Sequence, residues 1–277
     1  MNYRHAFHAG NFADLVKHAA LDRLLQRLLT EASPLTVVDT HAGAGLYDLG
    51  DPAQQRSREA EAGIKRLMAE ALPPEFDGLA AAVRRRNRPG TLITYPGSPS
   101  LILDRLRPGD RYVACELRPD DHGRLAGLFR KSGKSAEARR ADGYQTAVEV
   151  TRAAPGRVLV LIDPPFERAD DYVRIVETAA AVLAARPDAV VLVWLPLKDL
   201  ETLDAFARGL EAAGLPSASV AEARLRPLHD PMKMNGCALV ALGAPADFDE
   251  YLLAVCRFVV AALGDPNGSA RLWKTDG

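Results

Sequence analysis

This chain of 277 residues has few aromatic residues, no closely spaced pair of cysteines and almost no net charge. Its three cysteines, Cys115, Cys237 and Cys256, form no C-x-x-C pair, which argues against a disulfide framework and a cysteine-bound zinc site. The 35 Lys and Arg residues nearly balance the 36 Asp and Glu residues, so the net charge is -1. A nucleic-acid partner would therefore require that basic side chains gather on one face.

Long apolar runs are missing as well. No run approaches the ~20 residues that span a bilayer, and the N-terminal stretch MNYRHAFHAGNFADLVKH has no apolar segment of the signal-peptide kind. Unpaired cysteines fit a reducing compartment, so we expect a cytoplasmic protein without membrane contact. We also expect no metal, because His5 and His8 have no carboxylate at ligand spacing and the chain contains no H-E-x-x-H.

The chain does contain short apolar runs of the kind that form strands covered on both faces. These runs lie at 35–40, 111–117, 157–163, 189–197 and 236–243. Helical patterns lie around them, at 13–30, 101–107, 120–131, 170–185, 200–213 and 248–263. The repeated alternation of strand and helix predicts an α/β fold with a parallel sheet between two helix layers. We expect residues 1–277 to form a single domain.

Residues 51–90 interrupt this alternation. They contain two helix-prone stretches, 54–72 and 75–88, separated by a pair of prolines. A single crossover needs only one helix, so we predict a helical subdomain inserted into the main domain. The basic run Arg84-Arg85-Arg86-Asn87-Arg88 ends this insertion. It is compatible both with phosphate binding and with a solvated helix end.

Ligands of open α/β sheets bind beyond the carboxyl ends of the strands, so the residues that end the apolar runs are candidate site residues. The first run ends in D-T-H-A-G-A-G at 39–45, whose two glycines permit a tight turn and a close approach to a ligand. Asp48 stands where the dinucleotide fingerprint requires a third glycine. A plain strand-to-helix turn is therefore an equally good interpretation of this stretch.

Two further positions at the ends of runs carry carboxylates. Glu116 ends the second run and can accept both hydroxyls of a ribose, although a solvated strand end is the simpler interpretation. Asp142-Gly143, which we expect just before another strand, can accept a hydrogen bond from an adenine amino group while the glycine lets the backbone pass nearby. Asp-Gly is also a common turn dipeptide, so an ordinary turn is the alternative.

The third buried run ends in Asp163-Pro164-Pro165-Phe166. Proline fixes φ and has no backbone N–H, so this segment offers acceptors, the Asp163 carboxylate and the Pro164 carbonyl, and almost no donors. A rigid acceptor-only site suits a substrate that donates two hydrogens, such as an exocyclic amino group. Phe166 offers a flat apolar face on which a planar base can stack. The alternative, a strand ended by prolines, leaves the carboxylate without a purpose.

D-P-P-F resembles the D/N-P-P-Y/F/W motif of amino-group methyltransferases that use S-adenosylmethionine, and residues 39–45 resemble their glycine-rich motif. Glu116 and Asp142 fall where those enzymes contact ribose and adenine. The stretch 3–11, followed by A-D at 13–14 and K-H at 17–18, resembles the start of the RlmJ family of bacterial 23S ribosomal RNA adenine-N6 methyltransferases. So do Y-P-G-S-P at 95–99, A-D-G at 141–143 and L-I-D-P-P at 161–165.

This resemblance covers nearly the whole chain and implies a class I, Rossmann-like methyltransferase fold with an inserted helical subdomain and S-adenosylmethionine as cofactor. The implied catalytic residues are Asp163, Pro164 and Phe166, where Phe166 replaces the commoner Tyr and keeps its stacking face. The implied RNA contacts are Tyr3, Arg4 and His5. The implied cofactor contacts are His18, His41, Gly43, Ser98, Glu116, Asp142, Gly143 and Asp163. The implied partner is 23S rRNA, free or in an early assembly particle, and we expect a monomer.

The reaction implied by this resemblance is direct methyl transfer to N6 of one adenine that is turned out of its helix. Three alternatives stay open. A DNA or glutamine-amide methyltransferase would share the motif, although a glutamine enzyme usually shows N-P-P-Y. A nicotinamide oxidoreductase is disfavoured by the missing third glycine. A non-catalytic RNA-binding assembly factor would have no need of an acceptor-only pocket.

Overall fold

The structure, a computed structural model, describes residues 7–52, 57–230 and 233–277. Within these residues the chain forms a central sheet of eight strands and a separate pair of short strands. In chain order the strands are β1 (Leu35–Asp39), β2 (Leu46–Asp48), β3 (Thr94–Pro96), β4 (Arg111–Cys115), β5 (Ala136–Arg139), β6 (Arg157–Ile162), β7 (Val190–Leu197), β8 (Ser219–Arg224), β9 (Gly236–Leu242) and β10 (Ser269–Lys274).

The main helices alternate with these strands, as the sequence predicts. They are α1 (Phe12–Leu28), α2 (Asp77–Arg85), α3 (Ser98–Arg105), α4 (Pro119–Ser132), α5 (Gly143–Ala153), α6 (Asp171–Ala185), α7 (Leu200–Ala212) and α8 (Phe248–Leu263). All five predicted strands form, and the six helices predicted around them form with ends displaced by a few residues at most. The alternation of strand and helix was therefore interpreted correctly.

The sheet has the order β10-β8-β9-β7-β6-β1-β4-β5 and is parallel only in part. Strands β7, β6, β1, β4 and β5 run in parallel, whereas β9 is antiparallel to both β7 and β8, and β10 is antiparallel to β8. The expectation of a parallel sheet is wrong for the part that β8, β9 and β10 form. An apolar run indicates burial on both faces but does not indicate the direction of the strand, which is decided by the connections.

The sequence did not predict five of the strands, β2, β3, β5, β8 and β10, or helix α5. Edge strand β5 reads AEAR and is half-exposed, so it lacks the apolar signal. β8 contains the buried Glu222, whose carboxylate is satisfied by Arg224 and by the indole of Trp273 from β10. The strand expected directly after Asp142-Gly143 does not form, because helix α5 begins there with Asp142 as its N-cap.

Apolar side chains cover the sheet on both faces. Along β1, Leu35 and Val37 belong to one core cluster and Val38 belongs to the other, because successive side chains of a strand point to opposite faces. Helices α1, α3, α4 and α8 pack on the first face, and α5, α6 and α7 pack on the second. Burial on both sides explains why the strands of the centre are continuously apolar.

The insertion leaves the main domain between β2 and β3, which pair antiparallel and form its base. Its described part contains a π-helical turn (Glu61–Lys65), a short 3-10 turn (Pro74–Phe76) and α2. Apolar side chains of all three belong to the same core cluster as α1. The predicted helix at 54–72 lies partly outside the described residues, and the division into one domain with an inserted subdomain stays a prediction.

Candidate active site

Four carboxylates from neighbouring parallel strands lie at one edge of the sheet. Asp39 ends β1, Glu116 follows β4, Asp142 follows β5 and Asp163 follows β6. Because the strands are parallel, their carboxyl ends meet at the same edge, where open α/β sheets bind ligands. Glu116, Asp142 and Asp163 line a cavity of about 100 Å³. We call it the first cavity.

The loop after β1 forms part of the wall of this cavity. Gly43 and Gly45 have φ of 63° and 79°, values that favour glycine, and a Cβ on Gly45 would approach Leu128 within 2.7 Å. The N–H of Gly43 donates to Glu116 Oε2 at 3.1 Å, and the N–H of Arg118 donates to Glu116 Oε1 at 2.7 Å. Glu116 thus ties the glycine loop to the end of β4, and burial raises its pKa.

Asp39 lies beneath the cavity rather than in its wall. It is fully buried and accepts hydrogen bonds from Ser98 Oγ at 2.6 Å and from the Tyr112 hydroxyl at 3.2 Å. Burial raises the pKa of Asp39 to about 6, although the hydrogen bond from Ser98 and the charge of Lys17 oppose this shift. The carboxylate therefore joins β1 to β4 and to the start of α3.

Two predicted cofactor residues do not reach the cavity. Ser98 directs its hydroxyl to Asp39, and His18 is 1% exposed, with Nδ1 at 2.8 Å from the hydroxyl of Tyr95 and its ring stacked on that ring. Neither residue lines the first cavity. The Ser98 hydroxyl and the His18 ring thus contact Asp39 and Tyr95, and their assignment to the cofactor stays a prediction.

Asp142 caps α5 and holds a cation at the same time. Its side chain accepts from the N–H of Gln145 at 3.1 Å and from Arg174 at 2.7 Å. Burial opposes ionisation, but these hydrogen bonds outweigh it, so the pKa of Asp142 lies below its usual value. The guanidinium of Arg174 also lies 4.3 Å from the centre of the Tyr144 ring, which fixes it against the cavity wall.

Gly143 serves packing. A Cβ at this position would lie 2.0 Å from the carbonyl oxygen of Thr40, so only glycine lets the start of α5 approach the end of β1. Gly143 also lines the first cavity, so its predicted place beside the adenine of the cofactor stays a prediction.

His41 is held as a neutral imidazole. The hydroxyl of Thr40 donates to the carbonyl of Leu161 at 3.1 Å, so it must accept from Nδ1 of His41 at 2.8 Å. This assignment leaves Nε2 as an acceptor. Burial lowers the pKa of His41 to about 4. The ring also contacts the Tyr144 ring edge-on, with centres 5.0 Å apart.

A second cavity of about 360 Å³ also has Asp163 in its wall. Asp163 and Pro165 line both cavities, so the carboxylate stands where the two spaces meet. The second cavity is also lined by Lys17, Pro164, Phe166, Trp194 and Glu59. It therefore combines flat apolar side chains with a few charged ones, as sites for planar polar ligands do.

A lysine from α1 holds the Asp163 carboxylate. Lys17 is 4% exposed, and its ammonium contacts both Asp163 Oδ2 and, at 2.9 Å, Asp14 Oδ1. Burial disfavours the charge, but the two carboxylates outweigh it and raise the pKa of Lys17 well above its usual value. From the sequence, Lys17 stands out only as one position of the N-terminal pattern. The i,i+3 spacing from Asp14 was the available signal.

Phe166 has an unusual backbone. Its φ is 51°, which is a sparsely populated region for a bulky residue and costs of order 1–3 kcal/mol. Its ring packs against Tyr172 and Trp194, with centres 4.9 Å and 5.9 Å away. Trp194 was missed by the sequence analysis. It stays half-buried in an otherwise buried strand, as does Pro196, and both face the second cavity.

Some expectations fall outside what the structure describes. Tyr3, Arg4 and His5, the predicted RNA contacts, lie outside the described residues. Across residues 7–52, 57–230 and 233–277 no group of three or more His, Cys, Asp or Glu side chains could hold a metal ion. The helices in those ranges include none long and apolar enough to cross a membrane.

A mixed sheet with a cavity at the carboxyl ends of its parallel strands, bordered by a D-P-P-F segment, is a Rossmann-like arrangement, and the family model assigns it to the methyltransferases. The chain belongs to the family described as "Ribosomal RNA large subunit methyltransferase D, RlmJ", whose model matches residues 32–275. The family and the fold expected from the sequence are thereby confirmed. This membership supports S-adenosylmethionine as the cofactor.

Individual relatives agree with this assignment. The chain is 32% identical over 253 residues to the ribosomal RNA large subunit methyltransferase J of Escherichia coli, covering 91% of this chain and 90% of that protein. It is 29% identical to the protein of the same name from Haemophilus influenzae, covering 95% and 94%. A crystal structure of protein LPL1258 from Legionella pneumophila superposes with a TM-score of 0.87 at 29% identity, over 97% and 99% of the two chains.

Proposed function

We propose that this protein transfers a methyl group from S-adenosylmethionine to N6 of one adenine in 23S rRNA. The observation that carries the proposal is the position of Asp163, whose carboxylate lines both the first and the second cavity. One cavity can hold the methyl donor and the other the acceptor base. The carboxylate at their junction is then beside the atoms that react.

The polar groups that line the first cavity suit the cofactor. Glu116 and Asp142 are carboxylates from different strands, so one can accept the ribose hydroxyls and the other the amino group of the cofactor adenine. His41 adds an acceptor at Nε2, and the left-handed backbone of Gly43 keeps side-chain bulk out of the cavity. When bound, S-adenosylmethionine supplies a methyl group on a positively charged sulfur.

The second cavity fits a planar base. Phe166 and Trp194 offer aromatic surface, and Pro164 and Pro165 form a rigid wall without N–H donors. An adenine that is stacked in a helix cannot bring its N6 into this cavity, so we infer that the base is turned out of the RNA helix. Its N6 hydrogens would then be accepted by the Asp163 carboxylate and the Pro164 carbonyl.

These acceptors prepare the nitrogen for attack. Two hydrogen bonds to N6 would draw its lone pair out of conjugation and direct it at the methyl group that the cofactor would supply. As the N–CH3 bond formed and the methyl group left sulfur, positive charge would move to N6, where the Asp163 carboxylate would stabilise it. One N6 proton would then leave to this carboxylate or to water beside it. Lys17 holds Oδ2 of Asp163, which fixes the direction of the other oxygen.

The direct test is methyl transfer from labelled S-adenosylmethionine to unmodified, protein-free 23S rRNA, followed by nucleoside analysis. We expect N6-methyladenosine with the unaltered protein and none with Asp163→Ala, while calorimetry finds cofactor binding only weakened. Label in DNA or protein but not in rRNA would contradict the proposed substrate. Equal loss of cofactor binding and turnover in Asp163→Ala would contradict the proposed role of the carboxylate.

We further propose that the enzyme acts as a monomer on free rRNA or on an early assembly particle. The same labelling assay, run on free rRNA, early particles and complete large subunits at equal concentration, tests this. Complete subunits should be poor substrates. Methylation of complete subunits alone would contradict the proposal, as would a dimer in light scattering at assay concentration.

A further inference from the structure

We propose that the insertion supplies a positioning residue, Glu59, which holds the N-terminal segment and α1 in the arrangement that methyl transfer requires. The inference rests on the proposed function. Glu59 belongs to the insertion, yet its side chain lines the second cavity together with Lys17 and Asp163. The insertion is thus part of the wall of the base pocket rather than a distant appendage.

Both oxygens of Glu59 are used on the same short segment. Oε1 lies 2.8 Å from Nδ1 of His8, and Oε2 accepts from the side-chain amide of Asn11 at 2.9 Å. His8 and Asn11 immediately precede α1. The hydrogen bond from His8 to Glu59 raises the pKa of His8, which favours the charged pair, although burial opposes it. These two contacts therefore hold the residues before α1 against the insertion.

From Asn11 the contacts continue to the reacting carboxylate. Asn11 is the N-cap of α1, and its Oδ1 accepts from the N–H of Asp14 at 3.0 Å. Asp14 in turn holds Lys17 at 2.9 Å, and Lys17 holds Asp163. A continuous polar path therefore runs from Glu59 through Asn11, Asp14 and Lys17 to Asp163. Glu59 is the outer end of this path.

The backbone makes the same connection at close range. The N–H of Ile64 donates to the carbonyl of Gly10 at 2.8 Å, and a Cβ on Gly63 would lie 2.1 Å from that carbonyl. These residues belong to the π-helical turn Glu61–Lys65, a local widening that is frequent at functional sites. The turn packs against the segment that precedes α1 and keeps the Glu59 side chain within hydrogen-bond distance of Asn11.

A positioning role predicts a particular pattern of loss. The His8–Glu59 pair is partly exposed, with side-chain exposures of 37% and 31%, so its removal should change stability little. A shift of Lys17 and Asp163 by a fraction of an ångström should instead slow the chemical step, because misplacements of this size near reacting atoms are costly. The cofactor cavity does not include Glu59, so cofactor affinity should not change.

The test compares Glu59→Ala, Glu59→Gln and the control Glu61→Ala. Glu61 begins the π-helical turn two residues after Glu59, is 59% exposed and pairs with Lys65. In Glu59→Ala we expect kcat on rRNA to fall on the order of 10-fold or more, with KM and S-adenosylmethionine affinity within about 2-fold and Tm within about 3 °C. Glu59→Gln, which keeps the acceptor for Asn11, should recover part of kcat, and Glu61→Ala should match the unaltered protein.

Other results would overturn the proposal. An unchanged kcat in Glu59→Ala would do so, and so would a loss confined to KM, which would assign Glu59 to RNA binding. A loss of equal size in Glu61→Ala would indicate general damage to the insertion. If Glu59→Ala fails to fold, kcat of Glu59→Gln is compared with kcat of Glu61→Gln. A lower kcat in Glu59→Gln alone would support the proposal, and equal values would overturn it.

A readout without RNA separates this inference from the proposed function. The ammonium signal of Lys17, assigned with Lys17→Arg, can be followed by nitrogen-detected NMR in the protein alone. We expect Glu59→Ala to shift or broaden this signal and Glu61→Ala to leave it unchanged. An unmoved signal would refute the polar path even if rRNA is methylated. A moved signal would support the path even if rRNA proves to be the wrong substrate.

Discussion

Lys17 of α1 and Asp163 at the end of β6 form an ion pair, although 146 positions separate them in the chain. Their side chains are 5% and 13% exposed, so the pair is largely shielded from water. Desolvated charges are costly unless they are paired, which explains why Asp14 joins the lysine as a second partner. The pair attaches the N-terminal helix to the proposed catalytic motif.

Replacing Lys17 by Met should damage both stability and turnover. It leaves Asp14 and Asp163 without their shared cation, and breaking a buried pair typically costs about 3–5 kcal/mol. We expect the free energy of unfolding in urea to fall by about that amount and single-turnover methylation to fall on the order of 100-fold. Lys65→Met, which removes a cation paired on the surface, should change each by little. Full activity of Lys17→Met would exclude a role in catalysis.

Replacing Glu116 by Gln should weaken cofactor binding with the fold intact. Glu116 accepts from the N–H groups of Gly43 and Arg118, and an amide keeps only one of these two acceptors. We expect calorimetry to give an affinity for S-adenosylmethionine lower by about 10-fold, equivalent to a loss of ~1.4 kcal/mol. Glu137→Gln, on the exposed edge strand β5, is the matched control and should bind normally. An unchanged affinity in Glu116→Gln would refute the proposed ribose contact.

Phe166 should be replaceable by Tyr but not by Ala. Tyr keeps the aromatic face, so Phe166→Tyr should retain most of the activity. Phe166→Ala removes a stacking surface that contributes ~1–3 kcal/mol per base, so kcat/KM for rRNA should fall by roughly 5- to 150-fold. Tyr172→Phe, which leaves the ring beside Phe166 in place, is the control. If Phe166→Ala retains kcat/KM, the base does not stack there.

Two glycine substitutions should have opposite effects on stability. In Gly143→Ala the new Cβ would lie 2.0 Å from the Thr40 carbonyl, so α5 must move away, at a cost of about 1–3 kcal/mol or more. Gly123→Ala, inside α4, meets nothing within 4 Å and should gain up to ~1 kcal/mol from helix propensity. Urea unfolding of both variants measures the difference. Equal effects would show that α5 does not need this close approach.

His41 should remain neutral under conditions in which an ordinary histidine is protonated. Its pKa is about 4 in the folded protein and 6.5 in the absence of burial, so the unfolded chain takes up the proton first as the pH falls. Acidification from pH 7 to 4 therefore lowers the free energy of unfolding through His41. His8, whose pKa is raised, acts in the opposite sense and stabilises below its ordinary value.

Histidine NMR separates these contributions. We expect the His41 ring to be neutral at pH 5 and the His8 ring to be protonated. Asp39, with a pKa of about 6, also favours the folded state on acidification, so global stability alone would mix the effects. His41→Gln should lose less stability between pH 7 and pH 5 than the unaltered protein. A His41 midpoint near 6.5 would contradict its burial as a neutral ring.

The residues that the sequence identified are those whose local pattern has a chemical meaning. Asp163-Pro164-Pro165-Phe166 could be interpreted without a structure, because proline removes donors wherever it stands. Glu116 and Asp142 could be placed near one another, because the ends of parallel strands share an edge. Trp194 and Glu59 could not be found in this way, since neither belongs to a motif and each reaches the second cavity from a different part of the chain.

The sequence by itself determined the alternation of strands and helices, the glycine loop, the acceptor-only segment and the family, because each depends on residue types at short spacing. Only the tertiary structure decided which half of the sheet is antiparallel, that Ser98 and His18 face inward, and that Lys17 meets Asp163. It also decided that Glu59 of the insertion lines the second cavity. These outcomes depend on contacts between residues far apart in the chain, where packing and desolvation select the partner and local patterns carry no information about it.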